Sequence, residues 1–174
     1  MLIPPQILGA LVTVAVLGLL PGLLPATPPV SKGDKTSSQG SATTVEVSPL
    51  GNQMVYQKNE ITAKAGTMLT IVVKNTAESP ALWHNFVLLK PNADINAIGV
   101  AAIQAGPDKG YIPTSNDILH YTKMAKPGET KKVTFTVPPP GDYPYVCLFP
   151  GHFVTMRGVL HSKRFISEAP PKQQ

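Results

Sequence analysis

The run Tyr145-Val146-Cys147-Leu148-Phe149-Pro150-Gly151-His152-Phe153-Val154-Thr155-Met156 constrains this chain more than any other stretch. It holds the single cysteine of the sequence. A histidine follows Cys147 after four intervening residues, and a methionine follows after three more. Thiolate, imidazole and thioether together make a soft donor set of the kind that suits copper. A strand end followed by one tight turn brings all three to one point. Pro150 and Gly151 supply that turn, since proline pre-sets its own φ and glycine accepts positive φ. Such a site needs a second imidazole from elsewhere, and His84 is the candidate. It lies in Leu82-Trp83-His84-Asn85-Phe86-Val87-Leu88-Leu89, an apolar run that reads as a buried strand. The fold must therefore set a strand near 82–89 beside the loop at 147–156.

The rest of the chain is compatible with that demand. Prolines (19) and glycines (14) are frequent and interleave with short β-branched runs, which favours an all-β fold with many turns. Thr44–Val47 alternates like an edge strand. Met54–Tyr56, Glu60–Ala63, Met68–Lys74, Ala81–Leu89, Lys131–Val137, Tyr143–Cys147 and Arg157–His161 read as further strands. Between Ala93 and Ile103 the spacing of Ile95, Ile98 and Ala102 is helical, and Gly106-Pro107 stops it. These elements predict a Greek-key β-sandwich with a short helix on a flap.

Four segments are expected: an N-terminal apolar segment at 1–25, a flexible linker at 26–43, the folded domain at 44–162 and a disordered tail at 163–174. Ile7 to Leu24 is apolar apart from Thr13, the glycines and Pro21, and reads as a helix near the lower length limit for spanning a bilayer. It is expected to remain as a membrane anchor, with the folded domain on the outer, periplasmic side of the cell membrane. The other reading is a cleaved signal peptide and a soluble periplasmic protein. No basic residue precedes the segment, while Lys32 and Lys35 follow it, which runs slightly against the outward placement. Charged residues make up 14% of the chain and the net charge is +5, with no dense basic block and no nucleic-acid motif. Nucleic-acid binding is accordingly excluded.

The Cys-x4-His-x3-Met loop with Phe-Pro-Gly-His inside it, and His84-Asn85 far upstream, resembles the blue-copper cupredoxins, most of all azurin and the auracyanins. The resemblance runs from about Thr44 to about Ser162 and takes in Ala105-Gly106-Pro107-Asp108-Lys109-Gly110-Tyr111. It implies one type 1 copper ion held by His84, Cys147 and His152, with Met156 as a weak axial ligand. It further implies that Asn85 bonds across to the ligand loop and that the Phe149 N–H points at the Cys147 sulfur. Azurin has a glycine just before its first ligand histidine where this chain has Trp83, so a four-coordinate site is expected, as in the auracyanins. The Trp83 ring reads as core packing. His120 and His161 fall outside the motif and read as surface residues.

The function expected from this pattern is single-electron transfer by a monomer, not catalysis. A copper nitrite reductase or multicopper oxidase needs further histidines and another domain, and a binuclear site needs a second cysteine. The alternative is a copper chaperone or storage protein, whose sites are usually exposed and rich in methionine and histidine. The resemblance implies redox partners of the kind of a quinol-oxidising complex, a cytochrome or a reaction centre, reached beside the membrane through the N-terminal segment.

Overall fold

The computed structural model describes residues 42–165. In chain order these form β1 Thr43–Glu46, β2 Glu60–Lys64, β3 Met68–Lys74, β4 Val87–Leu89, helix α1 Ile95–Ala105, β5 Ile118–Tyr121, β6 Thr130–Thr136, β7 Gly141–Val146 and β8 Arg157–Lys163. The fold is sheet-dominated with one short α-helix among the described residues, consistent with the expected β-sandwich.

Alternation decides which face of each strand is buried. In β3, Leu69, Ile71 and Val73 are buried while Met68 and Lys74 are exposed. β3 is the centre of a three-stranded sheet, parallel to β1 and antiparallel to β6. The second sheet runs β2-β8-β7-β4-β5. Leu69, Ile71, Val73 and Phe135 of the first sheet meet Phe86, Leu88, Tyr145, Cys147 and Leu160 of the second in the larger core. The opposite face of the second sheet is also covered. There Val87, Leu89, Val146 and Leu148 pack with Ile98 and Ala102 of α1 and with Phe153. Asp94 caps α1 by accepting from the N–H groups of Asn96 and Ala97, which satisfies donors that the first turn leaves free. Gly106, at φ 73°, ends it.

Some expected elements are shorter. Met54–Tyr56 makes only one bridge, Pro49 to Tyr56. The expected strand Ala81–Leu89 is regular only from Val87, while Ile118–Tyr121, absent from the expected strands, is one. The Ile7–Leu24 segment lies outside the described residues. The expectations of a transmembrane anchor, a membrane partner and placement at the cell membrane are corrected here. No helix among the described residues is long and apolar enough to cross a membrane. The one α-helix described, α1, has 11 residues, a rise of roughly 16 Å against a hydrocarbon layer of about 30 Å.

Candidate metal centre

The late loop is closed by its own backbone. β7 ends at Val146, and the Cys147 N–H then donates to the Met156 carbonyl at 2.9 Å. The N–H of His152 donates to Phe149 (3.0 Å), and that of Met156 donates to His152 (2.8 Å). Gly151 sits at φ 82°, in the region that only glycine enters cheaply, and lets the chain pass into a single 3-10 turn at His152–Val154. The loop thereby folds Cys147, His152 and Met156 into one end of the sheet, all buried.

His84 arrives from the other side. It forms an isolated antiparallel bridge with Ala125, its N–H donating at 3.1 Å and its carbonyl accepting at 2.7 Å. Asn85 is the reason the strand does not continue through it. Its backbone N–H turns to the Cys147 sulfur, and its Oδ1 accepts from the Leu148 N–H at 2.8 Å. Its carbonyl accepts the Tyr56 hydroxyl at 2.5 Å. The first two bonds hold the His84 segment against the loop and the third ties it to Tyr56, instead of extending the ladder.

The donor atoms converge as a result. Cys147 Sγ lies 3.9 Å from His84 Nδ1 and 3.7 Å from His152 Nδ1, and the two Nδ1 atoms are 3.2 Å apart. An ion at the centre of a trigonal plane, bonded at about 2.0 Å to nitrogen and about 2.3 Å to sulfur, holds its donors about 3.5 Å (N–N) and 3.7 Å (N–S) apart. The observed triangle fits one ion of that size. His84 and Cys147 are 0% exposed and His152 only 2%. Burial pushes the Cys147 thiol up to about 12, although the Asn85 and Phe149 N–H groups on its sulfur act against the rise. Burial lowers both imidazoles to about 4, with the neighbouring His152 adding to the effect on His84. Two neutral imidazoles aimed at one thiol form a dry, uncharged pocket. A cation is the partner that turns such a thiol into a thiolate. The cluster is consistent with a type 1 copper site.

Residues 43–162 match the family model for copper binding proteins of the plastocyanin/azurin family. The chain belongs to that family. Among its cupredoxin relatives, auracyanin-A of Chloroflexus aurantiacus is 37% identical over 119 residues, 67% of this chain and 72% of that protein. Azurin of Bordetella pertussis is 35% identical over 116 residues, 63% of this chain and 77% of that protein. The solved structure of auracyanin A, described as a "blue" copper protein, covers 70% of this chain and 99% of its own at TM-score 0.66 and 35% identity.

Within this cupredoxin, three residues important to the site escaped the sequence. Tyr56 holds the Asn85 carbonyl. Asn75 donates through Nδ2 to the carbonyls of Leu82 (2.8 Å) and Ala125 (2.9 Å), clamping the His84 segment to the one that bridges it. Gly99 of α1 receives the Phe153 ring: a Cβ there would lie 2.4 Å from it. No motif marks any of the three. Trp83 is half-buried, not core; its ring lies beside Phe149 at 6.4 Å and under the Lys126 ammonium at 4.9 Å. His120 is half-buried: its ring stacks on Phe135 at 4.5 Å and burial lowers its pKa. His161 remains at the edge, paired with Asp142 at 2.7 Å.

Proposed function

We propose that this chain is a type 1 copper electron carrier, with copper held by His84, Cys147 and His152 and with Met156 as the axial ligand. The observation that carries the reading is the buried triangle of two Nδ1 atoms and one Sγ. Bound copper supplies a one-electron couple. The chain supplies a donor set that stays put: Asn85 ties strand to loop, the Asn85 and Phe149 N–H groups brace the sulfur, and the Met156 backbone is bonded to both Cys147 and His152. Little then has to move when an electron comes or goes. The family supports a non-enzymatic role. Redox proteins are the partners this reading requires.

Copper binding as such is shared with the second reading, a copper chaperone or storage protein, and the triad supports that reading too. Burial of all three donors favours the carrier, because a protein that hands metal on must let a competing ligand reach it. Absorption and EPR spectra of the copper-loaded protein test the choice. An intense visible band that disappears on reduction and returns on oxidation, with copper retained, is expected. A colourless protein that yields its copper rapidly to a cuprous chelator would instead be a chaperone or store.

The finer arrangement, a Greek-key sandwich over 44–162, belongs to the same proposal. The family match over 43–162 and the sheet orders β1-β3-β6 and β2-β8-β7-β4-β5 support it.

A further inference from the structure

His152 is the ligand on the loop, and the simplest exit for an electron is its outer edge. That edge is nearly closed. His152 is 2% exposed, Phe153 turns inward under α1, and Val154 stands out at 53%. The ring of Phe149 packs on His152 at 4.8 Å, and two further rings pack on Phe149: Tyr111 at 5.5 Å and Trp83 at 6.4 Å. Those two rings are walls of a groove of about 420 Å³ between the turn at 107–112 and the segment at 121–124.

The groove has the make-up of a protein interface. Its walls are amphipathic aromatics, Trp83, Tyr111 and Tyr121, the class enriched where proteins meet. Tyr121 is 47% exposed with no core role. Lys109 and Lys123 line the groove and Lys126 lies over the Trp83 ring. Against these ammonium groups stands Asp108; Glu129, near Lys126, is already paired with Lys131 at 3.2 Å. Tyr111 is held at φ 57°, with its N–H bonded to the Gly106 carbonyl. A non-glycine residue stays in that region only where its surroundings over-determine it, so the ring beside Phe149 is pre-set before any partner arrives.

We propose that this groove is the docking surface for an acidic redox protein, and that Trp83 and Tyr111 couple it through Phe149 to His152. The partner presents carboxylates to Lys109, Lys123 and Lys126 around an apolar contact. The net charge of +5 draws such a partner in. The inference rests on the electron-carrier reading.

The test uses the copper-loaded full chain and an acidic c-type cytochrome as probe, with electron exchange followed by stopped flow across a salt series. The Lys123→Glu/Lys126→Glu variant should keep the visible band and lose on the order of tenfold in rate at low salt. The difference should shrink as salt screens the charges. Tyr111→Leu should slow exchange at all salt concentrations, because it alters coupling and not steering. Val154→Asp should change the rate little. Unchanged rates in the lysine variant, or a large loss confined to Val154→Asp, overturns the docking surface and leaves the copper reading intact. Saturable binding of anthraquinone-2-sulfonate with no effect on the cytochrome rate overturns it as well, making the groove a small-molecule pocket. A wild-type chain with no reversible colour overturns the carrier reading and this proposal together.

Discussion

One face of the five-stranded sheet carries Phe86, Leu88, Tyr145 and Cys147 into the core shared with the three-stranded sheet; the other carries Val87, Leu89, Val146 and Leu148 under α1. Consecutive residues just past β7 thus part company: Cys147 faces the first core and Leu148 the second. The ligand loop repeats the division, since Met156 belongs to the sheet-side core and Phe153 to the helix-side one. The two faces do different jobs. The sheet-side core presents the sulfur atoms, and the helix-side core pins the loop that carries His152.

The sharpest way to break this division is Cys147→Ser. The visible band and most copper affinity should vanish while near- and far-ultraviolet circular dichroism of the apo-protein stays unchanged, because the larger core needs only a small buried group at 147. Loss of tertiary signal would show that presenting the donor and holding the sheets are one task.

Acid is the next probe, and it acts on the donor side. The folded His84 and His152 imidazoles lie near 4, below their ordinary value of 6.5. As pH falls the unfolded chain therefore takes up protons first, and stability falls where the unfolded state binds more of them. Apo-protein stability should be complete above about 6.5, decline below it and level off near 4. His120, also lowered, acts in the same sense. Copper in the proposed site would keep protons off both Nδ1 atoms and off the Cys147 sulfur, so the loaded protein, though more stable, should decline at least as steeply and continue to decline below 4. Urea midpoints across that range and below it, with and without copper, check this; a loaded protein that levels off near 4 as the apo-protein does would take the imidazoles out of the site.

On the helix side, Phe153→Ala removes a buried ring and should cost about 3–5 kcal/mol in urea denaturation. It should also shift the visible band, because His152 loses its neighbour's anchor. A stability loss with an unmoved spectrum would mean that the helix-side core does not position the ligand. A smaller perturbation comes from the opposite wall. Gly99→Ala places a methyl within 2.4 Å of the Phe153 ring, and such overpacking typically costs about 1–3 kcal/mol. Adding Phe153→Leu should recover part of that loss; an additive result would place the strain elsewhere.

The site was legible wherever chemistry fixed the spacing. Cys147, His152 and Met156 fall in one short loop, and the alternation of β3 could be read directly. The helix was readable from Ile95, Ile98 and Ala102, with Gly106 as its stop. Ala81–Leu89 misled because both faces of β4 are buried. A continuous apolar run carries no period from which to see the ladder end at Asn85. β5 was hidden because Ile118, Leu119 and His120 are each only half-buried, which leaves no alternation to find. Nothing in the sequence marks Phe153 as turned inward; only the position of α1, with a glycine facing it, does so. Tyr56 acts through one hydrogen bond to a distant carbonyl and Asn75 through two, to Leu82 and Ala125, and such bonds leave no periodic trace.

The register of β2 has a consequence in time. Ile61 pairs with Leu160, and β2 runs parallel to β8, so this sheet cannot close until nearly the whole domain has been synthesised. Pairings so distant in sequence fold slowly. His84 meets Cys147 only once β4 has paired with β7, which is likewise a late event. Until then Cys147 is an ordinary accessible thiol, open to oxidation and to linkage with a second chain. The finished protein hides it completely. The hazard of carrying one cysteine therefore falls in the interval before folding, and speed of closure protects the future ligand before any metal does.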